Sequence, residues 1–146
     1  YLTLIGLETL PLRMKQHMKN AELVANFLKN HSKVNYVSWA GFKENIYHEL
    51  AKKYFKDGFG SVFTFSLKSG YEGAMQLVEN CNLISHLANI GDTRSLIVHP
   101  ASTTHRQLNN EQKEKSGVGD SIIRLSIGLE SHKDIIADLE GALSTI

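Results

Sequence analysis

Arg124 stands in the middle of SIIRLSIGLE (Ser121–Glu130), a run otherwise suited to a strand. In an alternating strand it shares a face with Ile122 and Ser126, while Ile123, Leu125 and Ile127 line the other. Arginine is rarely fully buried, so the plain reading is an exposed side chain on the solvent face of a half-buried sheet. The sharper reading is a guanidinium held at the mouth of a site. Its planar fork donates two parallel hydrogen bonds to a carboxylate, which a lysine cannot copy. A second source of chemistry is ANIGDTRS (Ala88–Ser95), where a strand runs into a turn containing Gly91, with Asn89 and Asp92 beside it. Such a turn can present backbone N–H groups and a side-chain amide to an anion. An ordinary loop accounts for the same residues.

Other polar residues suggest less. VHPASTTHR (Val98–Arg106) places His99 and His105 around Ser102, Thr103 and Thr104. A zinc site wants three or four convergent ligands, and the seven histidines show no such grouping. A Ser102–His105 nucleophile pair lacks the strand, G-x-S-x-G, helix context that would support it. Turn and capping duties explain those hydroxyls as well. Lys68 ends a strand beside Ser69 and Gly70, where solvent keeps an amine protonated, so it reads as a surface lysine and not a Schiff-base former.

Periodicity defines the elements that must position these residues. Leu7, Leu10, Met14, Met18, Ala21, Ala25 and Leu28 step by three and four, which predicts a long N-terminal helix. Pro11 implies either a fresh start near Thr9 or a kink. VNYVSWAG predicts a short strand, NIYHELAKKYFK a helix of about three turns, and SVFTFSLKSG the clearest strand. YEGAMQLVENC is helical, with Ala74, Leu77, Val78 and Cys81 along one side, and LISHLA and SLIVHP are two further strands. NNEQKEKSG is a polar helix capped by Asn109 and stopped by Gly117. After the Arg124 strand, SHKDIIADLEGALSTI is amphipathic, with Ser131 predicted as cap and Asp134 as its capping-box acid. Strands alternating with helices, too few for a barrel, predict a two-layer α+β sandwich: a small mixed or mostly antiparallel sheet with helices on one face.

Bulk properties narrow the function. At 146 residues the chain fits one domain, and 42% hydrophobic with 21% charged residues supports an ordinary core. A net charge of +1 without a long basic run gives no nucleic-acid footprint. One cysteine, Cys81, excludes an internal disulfide and multi-cysteine metal sites and suggests a reducing, cytoplasmic setting. No apolar run reaches the roughly 20 residues of a membrane span. The chain enters a structured pattern directly at Tyr1, so we expect it to be part of a longer protein.

Taken in order, these segments resemble one known family. LANIGDTRSLIVHPASTTH, followed after a polar helix by GVGDSIIRLSIGLESHKDIIADLEGAL, resembles the C-terminal part of the Cys/Met-metabolism enzymes, fold-type I enzymes dependent on pyridoxal phosphate. GLETLPLRMKQHMKNAELVANFL resembles their interdomain helix, and HELAKKYFKDGFGSVFTFSLKSG the start of their small domain. Asn89-Ile90-Gly91 and Thr103-Thr104-His105, where transsulfuration relatives carry serine-leucine-glycine and methionine-threonine-histidine, are similar to the O-acetylhomoserine sulfhydrylase branch.

The resemblance implies a single C-terminal small domain: an interdomain helix over residues 1–30 and an α/β body over 31–146, with the large cofactor-binding domain absent from this chain. It implies a cytoplasmic, homotetrameric transferase of methionine biosynthesis acting on a small amino-acid substrate. Arg124 matches the arginine that pairs with the substrate α-carboxylate, and Asn89 stands where many relatives have a serine of that pocket. Thr104 matches a threonine lining the pocket, and Gly91 would let the turn approach the ligand; His99 and His105 carry no assigned role. No lysine here has the context of the family's Schiff-base lysine, so no covalent cofactor anchor and no catalytic residue is expected in this chain. Two alternatives stay open: another transsulfuration-type enzyme (cystathionine synthase or lyase, or methionine γ-lyase), and a stand-alone module that binds an amino acid.

Overall fold

The structure, a computed structural model, describes residues 1–146. Six helices and five strands follow one another as α1 (Leu2–Glu8), α2 (Leu10–Asn30), β1 (Val34–Ser38), α3 (His48–Tyr54), β2 (Val62–Leu67), α4 (Gly70–Asn80), β3 (Ser85–His86), β4 (Leu96–Val98), α5 (Asn110–Lys115), β5 (Ile122–Ser126) and α6 (His132–Ser144). The strands form one open sheet in the order β1-β2-β5-β4-β3. Three pairings are antiparallel and only β3–β4 is parallel. The expected mixed, mostly antiparallel α+β sheet is therefore present.

Side-chain alternation sorts the sheet into two faces. Phe63, Phe65 and Leu67 of β2, Ile123 and Leu125 of β5, Ile127 just beyond it and Ile97 of β4 join the main core. That core also takes Ala21, Val24, Ala25 and Leu28 of α2, Ala74, Leu77 and Val78 of α4, and Ile135, Leu139, Ala142 and Leu143 of α6. Helical spacing of three and four places each of these sets on one stripe, so three helices cover one face of the sheet. Truncating a fully buried leucine here, such as Leu139, removes its contacts and leaves a cavity, a change that costs about 2–5 kcal/mol.

Several local expectations shift. The N-terminal stripe is two helices, because Pro11 in the first turn of α2 has no N–H to continue the ladder of α1. Burial along α2 begins only at His17; Leu7 and Leu10, assigned to the stripe by spacing, remain exposed. The predicted three-turn helix shrinks to seven residues, His48–Tyr54. Asn45 Oδ1 accepts the Tyr47 N–H at 2.9 Å, a local turn that competes with helix before His48. Ser131 does not cap α6 with its hydroxyl; its backbone carbonyl takes the Asp134 and Ile135 N–H groups at 3.0 and 3.1 Å. The capping box forms at Asn109 instead, reciprocally with Gln112. No helix is long and apolar enough to cross a membrane.

Candidate functional site

Arg124 is the central residue of β5, in register with Thr64 of β2 and Val98 of β4. Its neighbours Ile123 and Leu125 belong to the helix-covered core, so alternation sends Arg124 to the opposite face. The side chain there is half-buried and not fully solvated. Its Nη2 donates to the backbone carbonyl of Asn89 at 3.4 Å, a long bond that leaves most of the fork free. None of the ion pairs in the protein involves Arg124. A half-buried guanidinium without an acidic partner, one edge resting on a loop, keeps donors free that can pair with a carboxylate.

The loop that meets it connects β3 to β4. Asn89 is exposed, and its Oδ1 accepts the Ile90 N–H at 2.9 Å. Gly91 has φ +74, in the left-handed region that glycine adopts most readily. A Cβ there would meet nothing within 4 Å, so conformation, and no close approach within this chain, calls for glycine. Asp92 is taken up inside the loop: the backbone N–H and guanidinium of Arg94 bond its Oδ1 at 3.0 and 3.5 Å and hold its carboxyl below the usual range. The loop's own acid thus does not compete for Arg124.

The remaining sequence candidates separate. Thr104 is exposed, and its hydroxyl bonds the Nδ1 of its neighbour His105 at 2.8 Å and neither Arg124 nor Asn89. Ser102 pairs with His99 at 2.9 Å, not with His105. His99 is almost fully buried, with Nε2 2.8 Å from the Asp120 carbonyl and its ring edge-on to Tyr71. A carbonyl only accepts, so Nε2 carries the proton and Nδ1 takes the Ser102 hydroxyl. Burial lowers the His99 pKa and keeps the ring neutral, which makes it a structural pin between β4 and the start of β5. Burial likewise pushes the Cys81 thiol up to about 12, too high for a nucleophile at neutral pH. No three His, Cys, Asp or Glu side chains converge on a point.

A bonded group of residues around the loop was not legible in the sequence. Ser95, fully buried, donates its backbone N–H to Glu130 Oε1 at 2.6 Å and its hydroxyl to Oε2 at 2.9 Å. The Gly128 N–H donates to the Ser95 hydroxyl at 2.8 Å. From α2, buried Asn20 donates to the Gly128 and Glu130 carbonyls at 3.0 and 2.8 Å, and His17 Nδ1 lies 2.6 Å from the Ile127 carbonyl. The only sequence signal was their type: a histidine and an asparagine on the apolar stripe of α2, and an acid closing an apolar strand.

The matches to known proteins agree with this frame. A family model described as "Cys/Met metabolism PLP-dependent enzyme" matches residues 1–144. The chain belongs to the Cys/Met-metabolism family of pyridoxal-phosphate-dependent enzymes. Among family members, O-acetyl-L-homoserine sulfhydrylase 1 of Thermus thermophilus is 45% identical over 144 residues, 99% of this chain and 34% of that protein. L-methionine gamma-lyase of Fusobacterium nucleatum subsp. polymorphum is 44% identical over 146 residues, covering 100% of this chain and 37% of that protein. The crystal structure of a putative O-acetylhomoserine (thiol)-lyase from Campylobacter jejuni, which carries N'-pyridoxyl-lysine-5'-monophosphate, superposes with a TM-score of 0.91 at 46% identity. That superposition covers 97% of this chain and 34% of the other. The chain spans about a third of the length of the curated relatives it matches.

The family's cofactor needs a lysine to anchor it, and the lysines here do not fit that duty. None is buried. Lys68 is exposed and donates to the Ser32 carbonyl, while Lys33 bonds the Leu143 and Ile146 carbonyls at the end of α6. None of the lysine bonds reaches Arg124 or the β3–β4 loop. The guanidinium of Arg124 keeps N–H groups free for an anion, and no lysine of this chain bonds beside it.

Proposed function

We propose that this chain is the C-terminal, substrate-carboxylate-binding domain of a longer O-acetylhomoserine sulfhydrylase, a transferase that converts O-acetyl-L-homoserine and sulfide to homocysteine and acetate. In this reading residues 1–30 join the domain to a large cofactor-binding domain, and the intact enzyme is a cytoplasmic homotetramer. Pyridoxal phosphate, when bound there, supplies the electron sink for chemistry at the substrate's carbon skeleton. Arg124 clamps the α-carboxylate with its free N–H groups, while Asn89 and Gly91 form the adjoining wall and Thr104 lines the substrate side. Holding the carboxylate fixes the orientation of the bonds at Cα, and orientation of that kind accounts for several kcal/mol of barrier in general.

The observation that carries the reading is the half-buried, acid-free guanidinium of Arg124 beside the Asn89 carbonyl. Similarity to sulfhydrylases supports the reaction type, and similarity to a methionine gamma-lyase keeps elimination as the second reading. The test is Arg124→Ala in the full-length enzyme, assayed with O-acetylhomoserine and sulfide and separately with methionine alone. Loss of a charge-assisted pair at a partly buried site, about 3 kcal/mol, should raise the KM for the amino acid roughly 100-fold. Unchanged kinetics would remove the carboxylate role; turnover of methionine without sulfide incorporation would replace the sulfhydrylase by the lyase.

A further inference from the structure

The loop that faces Arg124 is closed at its C-terminal end by an acid from the far side of the same strand. Arg124 lies in β5, and the chain leaves that strand through Ile127, Gly128, Leu129 and Glu130. Glu130 turns back so that both carboxylate oxygens are spent on one residue, Ser95: Oε1 accepts its N–H at 2.6 Å and Oε2 its hydroxyl at 2.9 Å. Ser95 is the last residue before β4 and ends the loop that carries Asn89 and Gly91. The Leu129 N–H adds a bond to the Thr93 carbonyl at 2.8 Å, one turn further into that loop. On the other flank, the Ser85 N–H donates to the Ser95 carbonyl at 3.0 Å and ties the same residue to β3.

The bonding around Ser95 is saturated. Its N–H, carbonyl and hydroxyl all have partners, with the hydroxyl both donating to Glu130 and accepting from Gly128. Asn20 of α2 fixes the carboxylate's own backbone by bonding the Gly128 and Glu130 carbonyls. Charge-assisted hydrogen bonds of this kind are shorter and stronger than neutral ones, and a bidentate pair adds direction as well as energy. A pocket that reads a substrate by one guanidinium depends on the spacing between that guanidinium and its facing wall, and misplacement by an ångström costs on the order of 100-fold. Here the spacing between Arg124 and Asn89 rests on the β4–β5 ladder, which pairs Val98 with Arg124 and Leu96 with Ser126, and on the Glu130–Ser95 bonds that fix the residue where the loop ends.

We propose that Glu130 is a positioning residue of the carboxylate site: acting through Ser95, it holds the β3–β4 loop at the distance from Arg124 that a substrate carboxylate needs. The proposal rests on the reading of Arg124 as the carboxylate clamp. It assigns the last acid of the SIGLE segment to substrate affinity, beyond its part in folding.

The experiment uses the full-length holoenzyme with Glu130→Ala, Glu130→Gln, Ser95→Ala, Arg124→Ala and the double variant Glu130→Ala/Arg124→Ala. KM and kcat for O-acetylhomoserine are measured beside the melting temperature. Glu130→Ala should raise KM on the order of tenfold while kcat at saturation changes by less than about threefold. Glu130→Gln, which keeps an acceptor for the Ser95 N–H, should recover much of the loss. In the Arg124→Ala background Glu130→Ala should add little, because groups that act as a unit are non-additive. If Glu130→Ala does not fold, Ser95→Ala, which removes the hydroxyl bonds and leaves the backbone bond, should show the same KM effect in milder form. A lowered melting temperature with KM unchanged overturns the proposal, as does a full additive effect without Arg124. Should Arg124→Ala itself leave KM unchanged, the carboxylate reading falls; should Arg124→Ala raise KM while Glu130→Ala and Ser95→Ala do not, only the positioning role falls.

Discussion

The Nη2 of Arg124 lies 3.4 Å from the backbone carbonyl of Asn89, 35 residues earlier in the chain. That contact joins the centre of β5 to the β3–β4 loop on the face of the sheet opposite the core helices. It uses one N–H of five, and no acid uses the others. The arrangement combines a fixed cation with spare donors, the two things that a carboxylate site needs.

Arg124→Lys tests whether the fork matters or only the charge. An ammonium is a point charge with no parallel pair of donors, so one of two carboxylate bonds is lost. A hydrogen bond to a charged group contributes about 1.5–3 kcal/mol, which corresponds to at least a tenfold rise in KM for the amino-acid substrate. Titrating the full-length enzyme with the substrate or a carboxylate inhibitor measures it. Full retention of affinity by the lysine variant would mean that long-range charge, and not bidentate geometry, is what the site supplies.

Gly128→Ala should destabilise the protein sharply. A Cβ at this position would lie 2.4 Å from the Arg94 carbonyl carbon and 2.5 Å from the Ser95 nitrogen, both backbone atoms that cannot swing aside. It would also meet Glu130 Oε2 at 2.4 Å, inside the bond network that closes the loop. Overpacking of this sort costs about 1–3 kcal/mol, seen as a lower melting temperature or a lower denaturant midpoint at unchanged slope. Gly91→Ala is the contrast, since open space surrounds that position and only the left-handed backbone, worth about 1–2 kcal/mol, opposes the change. Equal stability of Gly128→Ala and the parent would show that the loop relaxes away from β5.

These residues also show what a sequence discloses. Arg124 stood out because it breaks an apolar strand, and β2 because Phe63, Phe65 and Leu67 alternate with Val62, Thr64 and Ser66; both signals are local. Asn109 capped its helix as its type favours, with Gln112 completing the box, whereas Ser131 had the right type and yielded to its own backbone carbonyl. Local chemistry favours such caps without compelling them. The Glu130–Ser95 bonds were illegible, since nothing in the sequence near Glu130 marks a hydroxyl 35 positions away as its partner. Thr104 was placed near the site by resemblance, yet within this chain it bonds only His105.

His99 should give the protein a stability slope on the acid side of neutrality. Burial is the main cause of its lowered pKa; the Asp120 carbonyl and carboxylate oppose the shift, and Lys113 and His86 reinforce it. The unfolded chain then binds a proton near the ordinary histidine value of about 6.5, while the folded chain stays neutral to lower pH. Stability rises with pH wherever the unfolded state holds more protons. The contribution of the neutral ring is therefore complete above about pH 7.5 and is lost progressively as pH falls through 6.5 toward the lowered folded value. Denaturant unfolding of the full-length protein at pH 7.5 and 5.5 measures the difference, with His99→Gln as the comparison. Glutamine keeps an N–H for the Asp120 carbonyl and does not titrate, so its slope over that window should be flatter than that of the parent. Equal slopes in the two proteins would show that the ring accepts its proton in the folded state, with Ser102 turning its hydroxyl to receive the new Nδ1–H.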